Sequence, residues 1–218
     1  MSDDLVILFD VDNTLLDNDR VAADLREHLE ATVGHERQER YWRAFEELRA
    51  QLGYADYLGA LQRYRLDDPH DPHLLTVSHF LLEYPFARRL YPGALEAVRH
   101  AGRFGKAVIL SDGDVVFQPH KVWRSGLYDA FGGAVLIYIH KELELEDVEQ
   151  RYPASHYVLV DDKVRLLAAV KNTWGPRVKT VFPRQGHYAL DEDVVRRYPA
   201  PDITLDRIGD LVQVDFGA

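Results

Sequence analysis

Short, continuously apolar runs recur along this chain, and their spacing constrains the fold more than any other feature of the sequence. A run of this kind is typical of a strand that is buried on both faces of a parallel sheet. Most segments between consecutive runs have roughly the length of a helical crossover. This alternation predicts an α/β fold with a doubly wound parallel sheet. The predicted strands cover 5–9, 107–110, 134–139, 157–160 and 178–182, and the run 203–205 predicts a further strand at an edge.

One interval is far too long to be a loop between a strand and a helix. Ninety-two residues separate Thr14 from Ala107, whereas such loops usually contain only a few residues. Apolar residues in the interval recur with a helical period, which predicts an α-helical insert over 18–90 and a core domain made of 1–17 and 91–218. The residues predicted to be buried by these helices are Val21, Leu25 and Leu29; Tyr41, Phe45 and Leu48; Tyr57, Leu58 and Leu61; and Leu74, Leu75, Ser78 and Leu82.

Composition narrows the possible classes of protein. Of the 218 residues 46% are apolar, which is typical of a globular chain, and no apolar run approaches the ~20 residues of a membrane span. The formal net charge of −10 argues against non-specific nucleic-acid binding. The chain has no cysteine, and its acidic N-terminal residues 1–4 do not resemble a secretory signal. We therefore expect a cytoplasmic protein with neither a nucleic-acid nor a membrane partner; the sequence does not indicate an oligomeric state.

Polar side chains follow four of the predicted strands. The carboxyl ends of parallel strands lie at one edge of a sheet, which is where ligands bind in open α/β folds. Two carboxylates that lie one residue apart at such an edge are costly unless a cation or a proton joins them. The four groups together therefore predict a functional site. They are Asp10 with Asp12 after the first strand, Ser111, Asp112 and Gly113 after the second, Lys141 after the third, and Asp161 with Asp162 after the fourth.

This ordered set resembles the four motifs of the haloacid dehalogenase-like hydrolases. The sequence from Asp10 to Thr14 is similar to the first motif, DxDxT, and Ser111 and Lys141 match the second and third motifs. The pair Asp161–Asp162 matches the fourth motif in its two-acid form. The resemblance implies a Rossmann-like core in which the insert 18–90 is a helical cap domain. It also implies hydrolysis of a phosphoric monoester, a small phosphorylated metabolite, through an aspartyl-phosphate.

The resemblance further implies a role for the residues of the first two motifs. Asp10 is expected to attack phosphorus as a carboxylate nucleophile. Asp12 is expected to protonate the departing oxygen and then to take a proton from the hydrolytic water. Ser111 is expected to bind a phosphoryl oxygen, helped by backbone amides near Asp112 and Gly113.

Charge in the predicted site indicates a metal ion. The four aspartates bring four negative charges, and two like charges ~4 Å apart repel by about 4 kcal/mol at an effective dielectric constant of ~20. Lys141 alone cannot offset this repulsion, so we expect Mg²⁺, a divalent cation that prefers oxygen ligands. By the family pattern Asp10 and Asp162 supply carboxylate oxygens and Asp12 supplies its backbone carbonyl. Asp161 is expected to bind the ion directly or through water.

Several assignments remain open at this point. Lys141 is assigned to catalysis and to substrate binding, but Lys121 also follows the second motif and is an alternative for that role. Lys163, next to the acid pair, is predicted to lie on a solvated face. The histidines lack the spacing of metal ligands and are predicted at the surface or in the insert. They include His70, His73, His79, His140 and His187.

Other functions of the same motif set also remain open. A phosphomutase would use the same first motif, with a cap that excludes water. A non-catalytic or phospho-acceptor regulatory module is a further alternative, although such a chain would be expected to lack Asp10 or Asp12. A dehalogenase is disfavoured by Asp12, because a halide leaving group needs no proton.

Overall fold

A single parallel sheet forms the centre of the molecule. The structure is a computed structural model that describes residues 4–217, so the prediction about the N-terminal residues lies mostly outside the described part. Within 4–217 the strand order is β3-β2-β1-β4-β5-β6, and all neighbouring strands are parallel. The predicted α/β fold is confirmed. The strands are β1 (Leu5–Phe9), β2 (Lys106–Asp112), β3 (Val135–Tyr138), β4 (His156–Val160), β5 (Val178–Pro183) and β6 (Ile203–Leu205).

Helices connect the strands and cover the sheet. Within residues 4–217 five of them lie between β1 and β2, and the others lie between or after the later strands. No helix within residues 4–217 is both long enough and apolar enough to cross a membrane. The helices are α1 (Asn18–Val33), α2 (His35–Leu52), α3 (Tyr57–Asp67), α4 (Leu74–Glu83), α5 (Ala94–Ala101), α6 (Phe117–Arg124), α7 (Leu127–Ala130), α8 (Leu145–Arg151), α9 (Val164–Trp174), α10 (Gly186–Leu190) and α11 (Glu192–Val195).

The central strand β1 is buried on both faces, as its continuous apolar run predicts. Because side chains alternate along a strand, Ile7 and Phe9 join one apolar cluster while Val6 and Leu8 join another. The strand therefore ends between two packed layers, and Asp10 follows directly at its carboxyl end.

The insert between β1 and β2 consists of α1 to α4, and its apolar residues join the same cluster as Ile7 and Phe9. The predicted faces of α1 and α2 are buried. The predicted face of α4 is only partly correct. This helix buries Val77 and Leu81, whereas Leu74 is half-buried against the same cluster and Leu75 is 82% exposed. Apolar residues lie on most sides of α4, so their period did not identify the inward side. The domain boundary at 18–90 stays a prediction.

Candidate active site

The ammonium group of Lys141 lies at the buried centre of the predicted site. Its Nζ atom donates to Asp10 Oδ1 at 2.6 Å and lies 2.7 Å from Asp161 Oδ2. All three side chains are buried. Burial by itself would lower the pKa of Lys141, but the carboxylates of Asp10 and Asp161 raise that pKa above its usual value. The structure thus brings together the first, third and fourth motifs around one cation.

Asp162 is a buried carboxylate beside this cluster. Both of its oxygens lack a hydrogen-bond partner within the described residues. Burial raises the pKa of Asp162 well above its usual range, while Lys163 acts in the opposite direction. One carboxylate oxygen each from Asp10, Asp161 and Asp162 lies within 4.8 Å of the others, a spacing that suits a shared cation.

The loop after β1 is held in a defined shape by its own side chains. Asn13 has a φ of 60°, which side chains other than asparagine and aspartate rarely adopt. Its Oδ1 accepts from the amides of Asn18 and Asp19 at 3.0 and 3.1 Å. Thr14 Oγ1 donates to Asp10 Oδ2 at 3.3 Å and accepts from the Asp162 amide at 3.0 Å. Thr14 therefore ties the nucleophile position to the acid pair after β4.

Asp12 has a separate cation, Lys121 of α6. Lys121 Nζ donates to the two carboxylate oxygens of Asp12 at 2.7 and 2.8 Å and to Asn18 Oδ1 at 3.0 Å. Lys121 is buried, whereas the Asp12 side chain is 22% exposed and lines the cavity. Lys121 and Lys141 were alternatives in the sequence, and the structure places both in the site.

The last two residues of β2, Ser111 and Asp112, lie at the same sheet edge together with Gly113, but their contacts differ in detail from the prediction. Ser111 Oγ accepts from Gln118 Nε2 at 3.0 Å, and both Ser111 and Asp112 line the cavity. The Gly113 amide donates to the Tyr138 carbonyl at 2.9 Å, so this amide is already engaged in a backbone bond. A Cβ atom at Gly113 would lie 2.5 Å from the Cβ of Gln118. Gly113 thus makes room for the side chain that orients Ser111.

Asp112 makes a structural contact within this edge. Its Oδ1 accepts from the backbone amide of Lys141 at 2.7 Å. Burial raises the pKa of Asp112, and the charge of Lys141 opposes this rise. Asp112 therefore joins the second motif to the third and lines the cavity at the same time.

A segment that the sequence did not single out supports the loop after β1. Gln185 Nε2 donates to the carbonyls of Asn13 and Thr14 at 3.3 and 2.7 Å. Two residues later, the backbone amide and Nδ1 of His187 contact Asp19 at 2.8 and 2.6 Å. His187 was predicted at the surface; its side chain is half exposed, yet it lines the cavity. Only the folded chain brings 185–187 next to the first motif.

These residues surround a cavity of about 400 Å³ between the sheet edge and the insert. Lys163 lines this cavity, so the prediction of a solvated face is wrong. Burial alone would lower the pKa of Lys163, but the carboxylates of Asp10, Asp162 and Asp161 raise it. The insert contributes cations and aromatic rings to the wall. They are Arg26, Trp42, Phe45, Arg49, Tyr54 and Tyr57, and Tyr188 of α10 lies with them.

Comparison with known proteins identifies the family to which the chain belongs. A family model described as haloacid dehalogenase-like hydrolase matches residues 5–172. The chain therefore belongs to the haloacid dehalogenase-like hydrolases, and the predicted family and enzyme class are confirmed.

Solved structures agree with this assignment. A haloacid dehalogenase-like hydrolase from Burkholderia xenovorans LB400 is 63% identical, with a TM-score of 0.93, over 97% of this chain and 99% of that chain. The L-2-haloacid dehalogenase from Xanthobacter autotrophicus is 21% identical, with a TM-score of 0.64, over 95% of this chain and 96% of that chain. The hydrolase YfnB from Bacillus subtilis, bound to magnesium, is 14% identical, with a TM-score of 0.63, over 96% of this chain and 97% of that chain.

The last two structures share only the fold at these identities. A comparison with curated proteins gave no significant match.

Proposed function

We propose that the protein is a Mg²⁺-dependent phosphoric monoester hydrolase that acts on a small phosphorylated metabolite through an aspartyl-phosphate on Asp10. One observation carries this proposal: Asp162 is buried beside Asp10, and neither of its oxygens has a partner within residues 4–217. A buried carboxylate without a partner is strongly unfavourable. A divalent cation that also binds a phosphoryl oxygen would compensate for it.

The donor set at this position fits magnesium. Lys141 and the amide of Lys163 already engage the two oxygens of Asp161. Asp162 and the second oxygen of Asp10 remain as carboxylate ligands, and the resemblance adds the Asp12 carbonyl. Hard oxygen donors of this kind suit Mg²⁺, which when bound would neutralise charge on the phosphoryl group. We therefore assign Asp161 to the positioning of Lys141 and not to direct metal binding.

The chain's own residues account for both chemical steps. A carboxylate oxygen of Asp10 attacks phosphorus while the bond to the leaving oxygen breaks, and Asp12 donates a proton to that oxygen. Water then attacks the phosphorus of the aspartyl-phosphate, and Asp12 accepts its proton. The bond to Asp10 breaks, which releases inorganic phosphate and restores both carboxyl groups. Ser111, a buried residue of the cavity wall, would donate to a non-bridging phosphoryl oxygen.

A haloacid dehalogenase is the second candidate, because L-2-haloacid dehalogenases have the same fold. Displacement of a halide requires neither a proton donor nor a metal ion. Asp12 at the cavity and the unpaired carboxylate of Asp162 would then have no role. A phosphomutase uses the same groups as the hydrolase and differs only in the acceptor of the phosphoryl group.

Product analysis with the purified protein tests the proposal. We expect p-nitrophenyl phosphate and a panel of phosphorylated metabolites to release inorganic phosphate over many turnovers in Mg²⁺. L-2-chloropropionate should release no chloride under the same conditions. Chloride release without phosphate release would favour the dehalogenase, and conversion of a sugar phosphate to an isomer without free phosphate would favour the mutase. A single phosphorylation without turnover would indicate a regulatory module.

A further inference from the structure

Three cations at the cavity form no ion pair with the catalytic aspartates within residues 4–217. Lys141 is paired with Asp10 and Asp161, and Lys121 is paired with Asp12. Lys163, in contrast, has no carboxylate oxygen within 4.0 Å of its Nζ atom in the described part of the chain. Arg26 and Arg49 line the same cavity.

Arg49 and Lys163 meet at one aromatic ring. The Arg49 Cζ atom lies 5.5 Å from the centroid of the Tyr188 ring, and the Lys163 Nζ atom lies 5.2 Å from the same centroid. Both distances are within the range of a cation–π contact. Lys163 directly follows the acid pair, whereas Arg49 comes from α2 in the insert. Tyr188 therefore marks a place where a cation of the core and a cation of the insert approach each other.

Within residues 4–217 the N–H donors of Arg49 are largely unused. The nearest carboxylate is Glu46, one turn earlier on the same helix; its oxygen is 3.6 Å away and its side chain is 62% exposed. A pair of this length with a mostly exposed carboxylate contributes little, although Glu46 also lines the cavity. A guanidinium group has five N–H donors in a fork that matches the two oxygens of a carboxylate or a phosphate. Arg26 is less available for this role, since its Cζ atom lies only 4.5 Å from the centroid of the Trp42 ring, whereas that of Arg49 lies 5.5 Å from the centroid of the Tyr188 ring.

The volume and the wall of the cavity indicate a substrate larger than a phosphate group. Its volume of about 400 Å³ lies within the ~300–1,000 Å³ that is common for small organic ligands. Phe45, Tyr54 and Tyr57 form an aromatic part of the wall beside Arg49 in the insert. Such a wall suits a compact organic body between two charged ends.

We propose that the substrate carries a second anionic group besides the scissile phosphate, and that Arg49 binds this group beside Tyr188. Lys163 lies at the phosphoryl end, next to the acid pair. A carboxylate and a second phosphoryl group share the required chemistry. The proposal rests on the phosphatase activity proposed above and names the substrate class of that site.

Three aryl phosphates of similar size test the proposal. In 4-carboxyphenyl phosphate and 4-phosphonophenyl phosphate the far end is anionic, and in 4-carbamoylphenyl phosphate it is neutral. The wild-type protein with Mg²⁺ is expected to show a kcat/KM about tenfold higher for at least one anionic ester than for the neutral ester, the effect of one charged hydrogen bond. The anionic ester that is preferred identifies the second group.

Variants assign this preference to Arg49. Arg49→Gln and Arg49→Met remove the charge, and both are expected to lose the roughly tenfold preference, chiefly through a higher KM for the anionic ester. Arg43→Gln is the matched control, because Arg43 is an exposed arginine on the same helix that does not line the cavity. Thermal midpoints identify any variant that fails to fold. If one of the two Arg49 variants does not fold, the other one tests whether the preference depends on Arg49.

The outcomes separate the two proposals. If none of the three esters is hydrolysed, the phosphatase proposal fails and this inference fails with it. If the esters are hydrolysed with no preference, or the preference persists in Arg49→Gln and Arg49→Met, only the inference fails. An equal loss for all three esters would mean that Arg49 has a structural role, and it would also overturn the inference.

Discussion

Lys121 Nζ lies 2.7 and 2.8 Å from the two carboxylate oxygens of Asp12, while Lys141 Nζ lies 2.6 Å from Asp10 Oδ1. The two aspartates of the first motif thus each have their own lysine. The sequence presented these lysines as alternatives for one position. Because they come from α6 and from the end of β3, they approach the motif from different elements. Lys121 therefore holds Asp12 in a fixed orientation toward the cavity. Asp10 is held separately by Lys141.

We expect Lys121→Met to lower kcat by roughly tenfold or more with little change in KM. Methionine fills much of the same volume but leaves Asp12 free to rotate away from the leaving oxygen. Loss of a hydrogen bond to a charged group commonly costs about 2 kcal/mol, which corresponds to more than a tenfold change in rate. Steady-state kinetics on p-nitrophenyl phosphate would measure this. Lys106→Met, at an exposed position, is the control, and an unchanged kcat in Lys121→Met would contradict the orienting role.

We expect Asp10→Asn to abolish turnover while the protein remains folded. An amide is not a competent nucleophile for phosphorus, and loss of a covalent nucleophile commonly lowers kcat by about a thousandfold or more. Lys141 keeps its contact with Asp161 in this variant, so the buried ammonium group still has a partner. Burst and steady-state kinetics measure the chemistry, and circular dichroism measures the fold. Wild-type turnover in Asp10→Asn would remove the nucleophile assignment.

Asp162 gives a prediction for magnesium that does not depend on activity. A ligand that binds only the folded state at about 100 times its Kd stabilises by about 2.7 kcal/mol, which raises Tm by roughly 5–10 °C in a chain of this size. We expect Mg²⁺ to have this effect on the wild-type protein and EDTA to reverse it. The Asp162→Asn variant should show no such rise.

Asp162→Asn should also change the Tm of the metal-free protein. Removal of a buried carboxylate that has no partner relieves an unfavourable charge, so metal-free Asp162→Asn should have a higher Tm than the metal-free wild-type protein. Asp129→Asn, at an exposed position, is the control and should behave like the wild type in both conditions. An equal response of Asp162→Asn and the wild type to Mg²⁺ would exclude Asp162 as a ligand.

The parts of the site that the sequence predicts are those encoded by local patterns. A buried strand shows a continuous apolar run, and polar residues at its carboxyl end or in the turn just beyond it lie at the sheet edge by topology alone. Asp10, Ser111, Lys141 and Asp161 are all placed by this rule, and the structure brings them together. The inward face of α4 was not predictable, because its apolar residues surround the helix.

The parts that the sequence does not predict depend on contacts between distant segments. Gln185 and Tyr188 follow β5 and have no local motif that marks them, yet they contact the loop after β1 and the cations of the cavity. The position of Lys163 directly after the acid pair was a sequence signal that it could belong to the site. The sequence does not show, however, whether such a side chain turns toward the site or toward solvent. The positions of Gln185 and Tyr188 depend on the packing of α10 against α1, two helices that are far apart in the sequence.

Gly186 gives the last prediction, because it lies where α10 meets the loop after β1. It has a φ of 77°, and a Cβ atom there would lie 2.5 Å from the Cβ and 2.8 Å from the Cγ of Asn13. Gly126→Ala is the matched control, with a φ of 82° but open space around the added methyl group. The positive φ alone should cost about 1–2 kcal/mol of unfolding free energy in both variants. Gly186→Ala should lose more than this and also lower kcat, since Asn13 fixes the loop that carries Asp12. Urea unfolding and phosphatase kinetics measure the two effects, and equal behaviour of the two variants would show that the contact between Gly186 and Asn13 does not shape the site.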